Sequence, residues 1–196
     1  VILMQQIALP FDELDPGRTD DCLIITAANA IAFAALGNHS AWPGHCAILV
    51  GPKRSGKSLM GRYFAAQGGQ AIDDAETLGE VDLFHRWNAA KNAGQGLLLL
   101  SGKLPGDWLV ELPDLRSRLG AAQLLEIGEP DDELAEQLLL KYLRDRGTSI
   151  GPEALAFVLR RIERSYAAVE DFAKRGNALA LAEGSAITLP LVRRLV

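Results

Sequence analysis

The chain has 196 residues, 48% of them hydrophobic and 23% charged, with a formal net charge of −5. That is enough for one well-cored domain, or a medium domain with a small appendage, and it excludes disordered and fibrous classes. The acidic balance disfavours direct sequence-specific DNA binding, which needs basic surface against phosphates, and no apolar run approaches the roughly 20 residues of a membrane helix. Two cysteines, Cys22 and Cys46, show no redox or metal spacing and read as reduced thiols of a cytoplasmic protein.

Residues 5–18 (QQIALPFDELDPGR) read as an extended arm without a fold of its own. Residues 23–36 are mostly Ile, Ala and Leu and should be buried; Gly37, Pro43 and Gly44 then mark a loop. The apolar run Cys46–Val50, ending at Gly51, predicts a buried parallel strand. Leu59, Met60, Tyr63 and Phe64 share a helical face that Gly68 and Gly69 terminate, and residues 71–74 suggest a very short second strand. Val81, Phe84, Trp87 and Lys91 fall at helical intervals, with Gly94 as a C-terminal cap. Residues 97–101 and 123–127 read as two further strands. After Pro130 only helices are predicted. Asp131 or Asp132 caps the first, with Leu134, Leu138, Leu139 and Tyr142 on its face; Leu155, Val158, Leu159 and Ile162 mark the second. Residues 165–182 and 188–196 form the third and fourth. The expected plan is an arm over 1–18, an α/β core over 19–128 and a small all-helical domain over 129–196.

Gly51-Pro52-Lys53-Arg54-Ser55-Gly56-Lys57-Ser58 fits the P-loop at every defining position. Glycines let backbone N–H groups point at phosphates, Lys57 supplies a point charge to the β- and γ-phosphates, and the Ser58 hydroxyl serves Mg²⁺. A strand before and a helix after, whose N-terminus favours anions, complete the setting. Bound ADP or ATP with Mg²⁺ is therefore expected. Asp73 and Asp74 end the next short strand, where the first carboxylate would hold Mg²⁺ through water and the second orient an attacking water. By themselves, Arg116 and Arg118 in Leu115-Arg116-Ser117-Arg118-Leu119 read as a solvated helix face.

With these motifs in place, the chain resembles the DnaA-related AAA+ proteins, specifically the short Hda type. Residues 6–11, Gln-Ile-Ala-Leu-Pro-Phe, are similar to that family's clamp-binding Gln-Leu-x-Leu-Pro-Leu, and residues 112–119 to its Leu-Pro-Asp-Leu-x-Ser-Arg-Leu. The resemblance implies a P-loop AAA+ core followed by a helical lid. It implies that Gln6, Leu9, Pro10 and Phe11 bind the DNA polymerase sliding clamp, and that Arg118 acts in trans as an arginine finger on ATP held by DnaA. It also implies no counterpart of the initiator's DNA-binding domain. About fourteen residues separate Ser58 from Asp73, too few for the family's usual extra strand and helix, so the parallel sheet should have about four strands. Lys103 stands at the usual sensor-one acid. Ala167 stands at the sensor-two arginine, with Arg164 one turn earlier as its substitute at the nucleotide; nucleotide is then held but turned over weakly. Arg118 is expected on the surface near the chain's own nucleotide edge, Arg116 to point elsewhere and tolerate alanine, and the purely structural alternative pairs Arg118 with a nearby carboxylate such as Glu126. A compact P-loop kinase of the HPr-kinase type is the competing reading, on the close spacing of Gly69 and the Asp pair.

Overall fold

The computed structural model describes residues 5–8 and 22–195. The chain divides into two compact units, one ending at Gly128 and one beginning at Glu129.

In the first unit, strand β1 (Gln5–Ala8) pairs antiparallel with β2 (Cys22–Ile25), setting Gln6 opposite Ile24. This corrects the expected free arm at its first residues: Gln5–Ala8 have a backbone partner. Helix α1 (Ala30–Leu36) follows, and Asn29 secures the turn into it, accepting from the Thr26 amide at 3.0 Å and donating to the Ile24 carbonyl at 2.8 Å. Then come β3 (Cys46–Val50), α2 (Lys57–Ala66), β4 (Gln70–Ile72), α3 (Glu80–Asn92), β5 (Leu97–Ser101), α4 (Pro113–Ala121) and β6 (Gln123–Glu126). The four strands from β3 onward form an all-parallel sheet ordered β4-β5-β3-β6, with Ile48 opposite both Leu99 and Leu124. This is the α/β core with a shortened parallel sheet that the Ser58–Asp73 interval foretells.

Continuous apolar runs make β3 and β5 the buried centre, as parallel strands covered on both faces require. Ile48, Leu97 and Leu99 join Leu83, Trp87, Leu115 and Leu119 in one cluster, which fixes α3 and α4 against the sheet. The buried stripe of α3 is Leu83, Trp87 and Ala90, not the Val81–Phe84–Trp87–Lys91 face expected from spacing. Both stripes carry apolar residues at helical intervals, and Val81 ends up 60% exposed. Strand β4 is shorter than expected, stopping at Ile72 and leaving Asp73 and Asp74 in a turn.

The second unit holds α5 (Asp132–Arg144), α6 (Pro152–Leu159), α7 (Tyr166–Glu183) and α8 (Leu189–Val192). Asp131 caps α5, its carboxylate accepting from the Leu134 amide at 2.7 Å, and Ser165 caps α7 by accepting from the Ala168 amide at 3.2 Å. Gly184 in the left-handed region ends α7. Leu139, Leu143, Val158, Val169, Phe172 and Ile187 form a core of this unit's own. The last helix is only four residues, shorter than the 188–196 predicted. No helix among the described residues is long and apolar enough to cross a membrane.

Candidate nucleotide site and arginine face

The P-loop leaves the end of β3 and turns into α2. Gly56, at φ 89, holds a conformation that glycine adopts without strain, and no side chain caps the first turn of α2, so its leading amides remain available to an anion. Gly51 is required for space: a Cβ there would lie 2.9 Å from Ile127 Cβ and 3.0 Å from Ser55 Oγ. That Ser55 hydroxyl is buried without a hydrogen-bond partner. An orphaned hydroxyl beside a wall with no side chain fits a loop that closes around phosphate oxygens. Lys53, Arg54 and Ser58 are exposed, while Pro52 is half-buried.

Lys57 Nζ donates to the carbonyls of Gly51 and Pro52, each at 2.8 Å. Its pKa is lowered chiefly by burial, with Asp73, Glu76 and Asp74 opposing that shift in decreasing order. The lysine thus senses three carboxylates at once. Asp73 and Asp74 are exposed, and Asp74 takes a left-handed turn at φ 46 with its amide donating to Asp73 Oδ1 at 3.1 Å. Glu76 was not anticipated from sequence. Its Oε1 accepts from the Gly102 amide at 3.0 Å, and its Oε2 is buried without a partner. One carboxylate therefore ties the acidic turn to the loop after β5. Among the described residues no group of three or more His, Cys, Asp or Glu is gathered to hold a metal ion; a P-loop magnesium takes most of its ligands from nucleotide phosphates and water.

After β5 the chain is closely latched. Ser101 Oγ donates to the Lys103 carbonyl at 2.8 Å and the Trp108 indole N–H donates to the same oxygen at 3.2 Å, leaving the Lys103 side chain exposed. The Glu80 carboxylate accepts from the amides of Glu111 and Leu112, both at 2.8 Å, and these bonds hold its pKa below the usual carboxylate range. Arg116 donates to the Val110 carbonyl, through Nε at 3.0 Å and also through Nη2. It points elsewhere than Arg118, as expected, and there it is a tether at the start of α4.

Arg118 lies across Phe84, its guanidinium carbon 4.5 Å from the ring centroid, donates to Asn88 Oδ1 at 2.8 Å and pairs with Asp114 at 2.8 Å. The nearby carboxylate it pairs with is Asp114 and not Glu126. The side chain is 27% exposed. It lines a small pocket with Pro43 and Gly44, the residues that lead into β3, whereas the P-loop leaves the far end of that strand. Arg118 thus stands about 16 Å of strand away from the chain's own P-loop, which corrects the expected placement at its own nucleotide edge. Phe84 and Asn88 gave no signal beyond helical spacing.

In the second unit, Arg164 Nε pairs with Asp132 Oδ1 at 2.7 Å, and its Nη1 is buried without a partner. Ala167 is exposed on the first turn of α7. Of the clamp motif, Gln6 lies in β1, while Leu9, Pro10 and Phe11 fall outside the described residues.

No protein-family profile matches the chain. In sequence it is similar to the chromosomal replication initiator protein DnaA of Thermomicrobium roseum, 31% identical over 126 residues, which is 61% of this chain and 27% of that protein. In structure it is similar to domain III of the Thermotoga maritima replication initiation protein DnaA, with a TM-score of 0.72 and 16% identity over 89% of this chain and 93% of that one. It is also similar to AMPPCP-bound DnaA from Aquifex aeolicus, with a TM-score of 0.62 and 16% identity over 83% of this chain and 65% of that one. The chain therefore spans about a quarter of the initiator that it matches in sequence. A shared fold and weak sequence similarity together mark homology between this chain and the AAA+ domain of DnaA-type initiators.

Proposed function

We propose that the protein is an Hda-type regulator of replication initiation: it holds ADP or ATP with Mg²⁺, binds the sliding clamp through Gln6, Leu9, Pro10 and Phe11, and promotes ATP hydrolysis by DnaA. The observation that carries this reading is the setting of Arg118. A half-buried guanidinium, oriented by Asn88, Asp114 and Phe84, stands at the opposite end of the sheet from its own P-loop. It is out of reach of its own phosphates and free to meet those of a second ATPase. An arginine brought to a γ-phosphate stabilises transition-state charge and is worth ~10³–10⁵ in rate.

The remaining roles follow from the chemistry of each group. Lys57 exchanges its two carbonyl acceptors for β- and γ-phosphate oxygens when nucleotide binds. Ser58 and Asp73 would hold Mg²⁺, and Asp74 would orient water. Homology to an initiator's AAA+ domain and a separate helical unit favour this reading over a P-loop kinase. The Asp114 pair also suits a scaffold in which Arg118 only stabilises α4. ATP hydrolysis by DnaA, measured with and without this protein and DNA-loaded clamp, separates the two: stimulation supports the regulator, and its absence leaves the scaffold.

A further inference from the structure

Glu76 lies on the short 3-10 turn Ala75–Thr77 that follows the Asp pair, and the turn is pinned at its start: the Asp74 carbonyl accepts from the Thr77 amide at 2.9 Å and from the Thr77 hydroxyl at 2.8 Å. Glu76 Oε1 in turn accepts from the Gly102 amide at 3.0 Å. That amide has a fixed place in the sheet. Val50 pairs with Ser101 across β3 and β5, so Gly51 and Gly102 leave neighbouring strands side by side, about one strand spacing of ~5 Å apart. Gly51 carries one of the two carbonyls on which Lys57 Nζ rests. The Glu76 carboxylate and the Lys57 ammonium are thus anchored on adjacent strand ends at the mouth of the P-loop. Asp73 and Asp74 are exposed, whereas Glu76 keeps its second oxygen buried and without a partner. Glu76 also acts on Lys57 more strongly than Asp74 does.

Charge decides what this arrangement admits. Lys57 brings one positive charge and Asp73, Glu76 and Asp74 bring three negative ones, while Lys53 and Arg54 of the loop are exposed and screened by salt. A polyphosphate arriving alone is repelled from the acidic side. A divalent cation reverses the sign, because the carboxylates then face its charge and can accept from the water it carries. We infer that Glu76 couples nucleotide binding to Mg²⁺: it resists the free nucleotide and favours the metal complex. The inference rests on the nucleotide-binding reading of the P-loop, and it adds a third carboxylate that no motif supplies. No direct bond from Glu76 to the metal is required. A fixed charge beside Lys57, with one free oxygen to accept from a metal-bound water, is sufficient.

Isothermal titration of the full chain, freed of nucleotide, with ADP in excess Mg²⁺ and in EDTA tests this, and it reads affinity alone. Glu76→Gln keeps the Gly102 bond, since an amide oxygen accepts as a carboxylate does, and removes only the charge. Its affinity should fall about three- to tenfold in Mg²⁺ and rise by a similar factor in EDTA, the size expected of one charge at partly screened range. Glu76→Asp retains the charge and should stay near the wild type in both buffers. A residue that merely holds the loop after β5 gives no such crossover. Affinities of Glu76→Gln that move together, in one buffer only or not at all would overturn the inference, as would a Glu76→Asp that matches Glu76→Gln. A wild type that takes up ADP in neither buffer would remove the nucleotide reading beneath, and this inference with it.

Discussion

Lys57→Ala tests whether the loop holds nucleotide, and its size can be worked from the loop itself. The ammonium makes two 2.8 Å bonds to Gly51 and Pro52, in a place where burial already penalises its charge. Water reaches those carbonyls once the side chain is gone, so the unliganded protein should lose only about 1 kcal/mol. The larger effect lies in linkage. Ligand at a hundred times its dissociation constant stabilises the wild type by ~2.7 kcal/mol, which at ~2–4 °C per kcal/mol for a chain of this size raises the melting temperature by about 5–11 °C. A hundredfold loss of affinity would leave the variant at its dissociation constant, with ~0.4 kcal/mol of stabilisation and a shift of about 1 °C. Thermal unfolding of both proteins in buffer, Mg-ADP and Mg-ATP measures each quantity. A variant that retains the full nucleotide-dependent shift would refute the role given to Lys57.

Arg118→Ala should abolish stimulation of DnaA while nucleotide and clamp binding persist, at a stability cost of about 1–2 kcal/mol for the lost Asn88, Asp114 and Phe84 contacts. Arg118→Lys should largely fail as well, because an ammonium cannot reproduce a planar fork; stimulation of hydrolysis reads both. Gln6→Ala, or alanine at both Leu9 and Phe11, should remove clamp binding with nucleotide affinity unchanged, and a pull-down on immobilised clamp that retains either variant would contradict the motif. Glu80 gives a pH dependence of known sign. Its folded-state pKa is depressed, so its contribution is complete above about pH 5 and fades as the pH falls through the depressed value. Melting curves of wild type and Glu80→Gln should therefore converge in acid and diverge towards neutrality; a constant separation would show that the carboxylate is not the latch.

The P-loop was readable because all its constraints lie within eight residues: glycine where a Cβ would meet Ile127, glycine where φ is positive, lysine and serine at the helix start. The four-strand sheet was readable by counting, since the interval between Ser58 and Asp73 holds one helix and one return. Glu76 was not, because its partner Gly102 arrives 26 residues later and only the finished sheet brings them together. The α3 face was misassigned because Val81 and Leu83 are both apolar, and burial follows the sheet's position, which helical periodicity does not contain. Arg118 showed its helix in the sequence but not its end of the sheet. That depends on α4 running back against the parallel strands, a property of the crossover and not of any residue.

Among the described residues the three-residue strand β4 has a ladder partner on one side only, and it leads directly to the Asp pair. What a lateral neighbour would supply must come from above. Helix α2 provides it through Gly61, where a Cβ would fall 2.6 Å from Leu100 Cδ1 and 3.4 Å from Ala71 Cβ. The helix can press this closely onto the strand pair because one residue has no side chain. Helix α2 and the strand that leads to the acidic turn are thereby packed in direct contact, so the spacing between hydroxyl and carboxylate is set by steric contact through the layer as well as by the β4–β5 ladder. A methyl group at position 61 would reset that spacing from three residues beyond the P-loop serine, without touching a ligand.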